Sequence, residues 1–186
     1  MALTFISAGE YAEQISNETV HNGSYWRISN LWHKGDYSLL YADDRKEATA
    51  AAFAMAANVS PVLAKTLFVS FPQNLRDIQP QLRGIDNVQV FIPTTNLETD
   101  FSETLIENLR TAINEHGFDT IVIDNLNRIS ALSTGRNAAL TQLVNSLFAL
   151  HVETDATILI TAYNLSKSTR FRLAALTDTC FSAETV

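Results

Sequence analysis

The chain has 186 residues and a mass of 20.6 kDa, with 46% hydrophobic and 18% charged residues, six Gly and four Pro. That is room for one domain hiding about 70% of its unfolded surface, and the composition excludes a disordered or collagenous chain. The net charge of -7 argues against a generally basic nucleic-acid coat, and a single cysteine, Cys180, excludes an intrachain disulfide or a multi-cysteine zinc site.

The opening residues carry no Lys or Arg and only a brief apolar run, which is unlike a signal peptide. No stretch approaches about 18 unbroken apolar residues, so no membrane span is expected and a cytoplasmic location is. Ser7 and Glu10 stand as N-cap and N3 of a capping box, flanked by Ile6 and Tyr11, which predicts a short first helix. The polar segment Asn17 to Ser24 follows, and then Tyr25, Trp26, Leu31 and Trp32, aromatic and apolar anchors suited to pinning an arm onto a body. Residues 1–29 are read as that arm and 30–186 as the domain.

From Asp36 the pattern alternates. Tyr37 to Tyr41 reads as a strand, Ala42 to Lys46 as a turn, and the Ala-rich run Glu47 to Asn58 as a helix with Pro61 beyond its end. Leu67 to Phe71 is a second strand stopped by Pro72, and Val88 to Ile92 a third stopped by Pro93. Asp100 and Glu103 cap a helix whose inner face holds Leu105, Leu109, Ala112 and Ile113 and which Gly117 ends. Thr120 to Ile123 is a fourth strand, ending at Asp124. A helix over Arg136 to Leu150 has Leu140, Leu143, Val144, Leu147 and Phe148 as its stripe; Thr157 to Ala162 and Cys180 to Ser182 complete the strands. Strands apolar on both faces between amphipathic helices predict an α/β domain, a parallel sheet flanked by helices.

Ligands of open α/β sheets sit at the carboxyl ends of the strands. The strand Asp119-Thr-Ile-Val-Ile-Asp124-Asn125 delivers one carboxylate at its tip, as a Walker B element does to hold Mg²⁺ beside phosphates. His33-Lys34-Gly35-Asp36-Tyr37-Ser38-Leu39-Leu40-Tyr41 resembles the entry to the first core strand of RecA-like ATPases, especially the DnaB-type replicative helicases. The resemblance runs on through the Asp124 strand and Thr157-Ile-Leu-Ile-Thr-Ala-Tyr-Asn164, covering about Asn30 to Val186. It implies a RecA-like P-loop NTPase fold and a nucleotide-magnesium site near Thr49, Asp124 and Lys46.

Against that family the phosphate loop is lost. A working loop reads G-x-x-x-x-G-K-[ST], whose glycines let backbone N–H groups wrap phosphates while the Lys neutralises them. The eight positions here read Ala42-Asp43-Asp44-Arg45-Lys46-Glu47-Ala48-Thr49, and only Thr49 matches. Asp43, Asp44 and Glu47 set negative charge where a polyphosphate would sit, each like-charge contact at ~4 Å costing about 4 kcal/mol at an effective dielectric near 20. Pro72 falls near the catalytic Glu that the resemblance implies. The expectation is therefore a vestigial site, with Asp124 and Thr49 as remnants or as a polar pair joined by a hydrogen bond.

No other chemistry stands out. His21, His33, His116 and His151 form no ligand spacing, and His116 and His151 read as helix C-terminal partners. Cys180 reads as a small buried apolar residue. Charge, however, is unevenly spread. Asn125 to Val152 and Ala156 to Thr177 contain no acid but carry Arg128, Arg136, Lys167, Arg170 and Arg172, leaving 8 basic against 20 acidic residues elsewhere. In the resembled family the corresponding loops face DNA or a neighbouring subunit.

The leading expectation is a catalytically inactive RecA-like module, a pseudoenzyme for binding or assembly in DNA metabolism or transfer. It needs no cofactor and has a protein partner or self-association, with only weak nucleic-acid contact and no membrane. The alternative is an unorthodox NTPase that binds ATP with Mg²⁺ through Lys46 or Arg45. A third reading is a small enzyme gathering Asp43, Asp44 and Asp124 around a pocket or a metal.

Overall fold

The computed structural model describes residues 26–28, 32–59, 64–71, 88–91, 101–127 and 136–183. Strands β1 (Trp26–Ile28) and β2 (Trp32–His33) form an antiparallel pair. The main sheet holds β3 (Tyr37–Ala42), β4 (Thr66–Ser70), β5 (Val88–Phe91), β6 (Thr120–Asp124), β7 (Thr157–Tyr163) and β8 (Thr179–Ser182). Their order is β5-β4-β6-β7-β3-β8, and every neighbouring pair is parallel. Helices α1 (Arg45–Asn58), α2 (Phe101–His116), α3 (Arg136–Thr154) and α4 (Lys167–Ala174) cover it.

Period-2 alternation sorts the strand side chains into two cores. Leu39, Val69, Ile121, Ile123, Ile158 and Ile160 face one layer with Leu109 of α2, Val144 and Leu147 of α3, and Leu173 of α4. Leu40, Phe68, Val122 and Leu159 face the other, against Phe53, Met55 and Ala56 of α1 and the wholly buried Trp32. The split follows from handedness. From β3 the chain steps through α1 toward the β5 edge, and from β5 onward it steps back toward β8. Right-handed crossovers in opposite directions put their helices on opposite faces.

The expected strands are all present. α1 begins at Arg45 rather than Glu47, because Asp44 caps it and draws Arg45 and Lys46 into the first turn. Gly117, at φ 68°, ends α2 as expected. α3 continues past Leu150 to Thr154, where Asp155 turns the chain with φ 55° and His151 Nδ1 lies 2.9 Å from the Ala156 carbonyl. Within that stripe Phe148 is a correction: it is exposed, its ring edge-on to Tyr37 at 5.7 Å. Cys180 is another: it is exposed, because β8 is an edge strand and Cys180 alternates with the buried Phe181.

α4 has no counterpart in the sequence reading, since Lys-Ser-Thr-Arg-Phe-Arg-Leu-Ala carries a single inward residue, Leu173. Ser166 starts it by accepting from the Thr169 N–H at 3.2 Å. The expected helix at Ser7 and Glu10, the anchors Tyr25 and Leu31, and Pro61, Pro72, Pro93, Asp100 and Arg128 lie outside the described residues.

Candidate functional site

The strand order reverses beside β3, whose following helix, α1, lies on one face, while α4, which follows β7, lies on the other. Such a switch point opens a crevice at the carboxyl ends of the two strands. Asp43 and Asp44 leave β3 there, and the Asn164 N–H beyond β7 reaches back to the Ala42 carbonyl at 3.1 Å.

At this point in a P-loop protein, the first amides of the helix cradle phosphate. Here they hold a carboxylate of the chain itself. Asp44 Oδ1 accepts from the N–H of Lys46 at 2.6 Å and of Glu47 at 3.0 Å. Extended backbone at Asp44 (φ -128°, ψ 165°) aims the side chain back at the helix start. The side chains of Asp44, Lys46 and Glu47 are exposed. A phosphate at this helix start would have to displace Asp44 and approach the Asp43 and Glu47 charges, so the residues present do not fit one.

Deeper in the crevice stands Asp124, at the tip of β6 and only 2% exposed. β4 sets Ser70 directly opposite it in register. Thr49, one turn into α1, donates to both Asp124 oxygens at 3.0 and 3.1 Å. Thr161 of β7 donates to Oδ1 at 3.0 Å, and Ser70 donates to Oδ2 at 3.3 Å. Burial pushes the carboxyl above its ordinary value of 3.8, while the three hydroxyls and the charge of Arg45 pull the other way without cancelling it. Each hydroxyl bond to an ionised carboxylate contributes about 1.5–3 kcal/mol, which offsets part of the cost of burying the charge. The Thr49–Asp124 hydrogen bond considered from sequence is therefore present, as part of a larger hub.

Ser70 and Thr161 were missed by reading the sequence, as was Asn127, whose side chain clamps the Tyr163 backbone through both its N–H and carbonyl at 2.9 and 2.7 Å. The available signal was a small hydroxyl residue near the end of an otherwise apolar strand, in Thr-Leu-Phe-Val-Ser70 and Thr-Ile-Leu-Ile-Thr161.

Two cavities flank α4. One, of about 160 Å³, is lined by Tyr41, Asp43, Glu47, Arg170 and Ser182, with the Arg170 guanidinium 4.6 Å over the Tyr41 ring. It takes in Asp43 but neither Asp44 nor Asp124, so it does not gather the three carboxylates of the small-enzyme reading. Among the described residues no group of three or more His, Cys, Asp or Glu is placed to hold a metal ion. The other cavity, of about 270 Å³, is apolar and bordered by Arg172. The basic residues singled out from sequence thus divide: Arg170 on one side of α4, Arg172 on the other, Lys167 at its first residue and Arg136 at the start of α3. No helix among the described residues is long and apolar enough to cross a membrane.

The order of elements and the place of Asp124 can be set against known proteins. The flagellar accessory protein FlaH from Methanocaldococcus jannaschii is a similar solved structure, with a TM-score of 0.60 at 11% identity over 84% of this chain and 74% of that one. At that identity the likeness shows the RecA-like P-loop fold and no more. No curated protein matches the sequence. The family model described as AAA domain matches residues 23–163, well over half of the chain, and this chain belongs to that family.

Proposed function

We propose that this chain is a RecA-like domain that does not turn over nucleotide and serves as a binding or assembly module. The observation that carries the reading is the Asp44 carboxylate on the first amides of α1, in the place a phosphate takes in a working P-loop. The absent glycines and lysine between Ala42 and Thr49 support it, as does the closed hydroxyl shell on Asp124. Its contact face centres on Arg128, Arg136, Lys167, Arg170 and Arg172, the last three on α4, and its partner is a protein or a second copy. A DNA-linked process suits the family resemblance, with nucleic acid a weak, salt-sensitive contact.

Thermal unfolding with and without millimolar ATP and Mg²⁺ tests the reading. A ligand at about 100 times its Kd adds roughly 2.7 kcal/mol, several degrees for a domain of this size. The expected shift is nil. ATP turnover abolished by Asp124→Ala would overturn the proposal. The second reading is ATP bound through Lys46 or Arg45, which both stand in the first turn of α1 at the crevice. It predicts a Mg²⁺-dependent rise in melting temperature that Lys46→Ala or Arg45→Ala removes.

A further inference from the structure

The carboxyl ends of β3 and β8 meet α1 and α4 around the cavity of about 160 Å³. Parallel pairing sets Ser182 beside Tyr41, so both strands deliver their last side chains at one level. Alternation turns Tyr41 to the face of Leu39, the side that α4 covers. On α4, Arg170 stands three residues before the inward Leu173, and that helical spacing carries it over the sheet. Its guanidinium lies over the half-buried Tyr41 ring. Asp43, just past β3, and Glu47, in the first turn of α1, complete the polar wall. Open α/β sheets take their ligands at this edge.

The groups that converge there have no partners in the fold. Among the described residues, the side chains of Asp43, Glu47, Arg170 and Ser182 make no hydrogen bond, and no ion pair joins them. Two carboxylates and one guanidinium therefore share a small space without neutralising one another. What fits must bring a negative group for Arg170 and more than one positive group for the acids. Nucleotide phosphate meets Asp43 and Glu47 as like charges. A nucleobase carries no charge to answer either sign. A diamine satisfies the acids but sets its own charge against Arg170. An amino acid with a basic side chain meets all three groups, its α-carboxylate on the planar guanidinium fork and its two cations at the acids. The volume agrees, being below the ~300–1,000 Å³ of sites for drug-sized ligands.

We infer that this cavity binds a small basic α-amino acid, with its carboxylate on Arg170 and its cationic groups at Asp43 and Glu47. The inference goes beyond the reading of the chain as an assembly module, because it gives the crevice a ligand of its own. Asp43 and Glu47, which count against a phosphate at the start of α1, here count in favour. Arg170 also belongs to the proposed contact face, so the bound amino acid and a partner on α4 compete for it. Exposure of the two acids screens their attraction, and the expected Kd is about 1 mM or somewhat below.

Titration of the isotope-labelled full chain with L-lysine, followed by amide chemical shifts in NMR at constant pH and ionic strength, tests this. Saturable shifts are expected at Asp43, Glu47, Arg170 and Ser182. Arg170→Gln and the double variant Asp43→Asn, Glu47→Gln should each weaken binding about tenfold or more, through the loss of charged contacts. Arg172→Gln, on the far side of α4, should leave it unchanged. The altered side chains are exposed or half-buried, and unchanged amide shifts in β6 and β7 verify that each variant folds. Cadaverine lacks the carboxylate and L-norleucine the side-chain cation, and each should bind about tenfold more weakly than L-lysine. No saturable shift with L-lysine, or binding indifferent to Arg170→Gln, would overturn the proposal. So would cadaverine or L-norleucine binding as well as L-lysine. Displacement of L-lysine by adenosine would assign the cavity to a nucleoside, and overturn it too. The Mg-ATP melt tests the proposed function separately from all of these outcomes.

Discussion

Asp124 is a carboxylate whose burial outweighs its three hydroxyl donors, and that balance has a pH signature. Because its folded value lies above 3.8, the proton binds the folded state more tightly, and Asp124 disfavours folding once ionised. Its contribution is most favourable in acid and declines as pH rises from the unfolded value through the raised folded one. Asp124→Asn cannot titrate. The stability advantage of the unaltered protein over this variant should therefore shrink from pH 4 to pH 7 in urea unfolding; an advantage that grows would contradict the raised value. Thr161→Val leaves Asp124 one donor short and should cost about 1–3 kcal/mol, read from the same urea midpoints. Asp44 acts on a helix rather than a core, and Asp44→Ala should lower stability by about 1 kcal/mol, with Asp44→Ser restoring most of it. Asp124 and Thr49 were legible in the sequence because an acid ending an apolar strand and a Thr in the phosphate-loop frame are local patterns. Ser70 and Thr161 were not, since their hydroxyls acquire a role only when β4 and β7 flank β6.

At the scale of elements, α4 and β8 show how little sequence periodicity says about short segments at a sheet edge. α4 is held by a Ser166 cap and one inward side chain, Leu173. Leu173→Ala should cost about 2–5 kcal/mol, whereas Phe171→Ser on the same helix should stay within about 0.5 kcal/mol, a contrast that paired denaturation curves resolve. On β8 the thiol of Cys180 is exposed but partly desolvated, and that desolvation holds it above its ordinary value despite the nearby Arg170 charge. One equivalent of thiol should therefore react with a disulfide reagent in the native protein, more slowly than a small free thiol at the same pH. No reaction before unfolding would mean that β8 is covered. Burial was expected of Cys180 because a free cysteine behaves as a small hydrophobe, but alternation on this edge strand buries Phe181 and sends Cys180 outward.

For the whole molecule, strands such as Tyr37–Ala42 and Thr120–Asp124 contribute to both cores at once, so neither helix layer can leave without exposing the sheet. Unfolding should be one transition. Far-ultraviolet circular dichroism, which reports all helices, and the fluorescence of Trp32, buried in the α1 layer, should give coincident curves; a separation would mean that the layers unfold independently. The α/β class and the strand sequence were decided by the chain alone, because each rests on residues adjacent in sequence or repeated at a short period. Topology needed the fold. The order β5-β4-β6-β7-β3-β8 depends on which strands meet across more than a hundred residues, and no local pattern encodes that pairing. The same holds for function. That Asp43, Asp44 and Glu47 are acidic is plain in the sequence, but that Asp44 turns its carboxylate onto the Lys46 and Glu47 amides is a matter of backbone direction at a crevice. That Leu140 of α3 and Leu173 of α4 come to line one cavity follows from their placement against the sheet, which only the packed molecule sets.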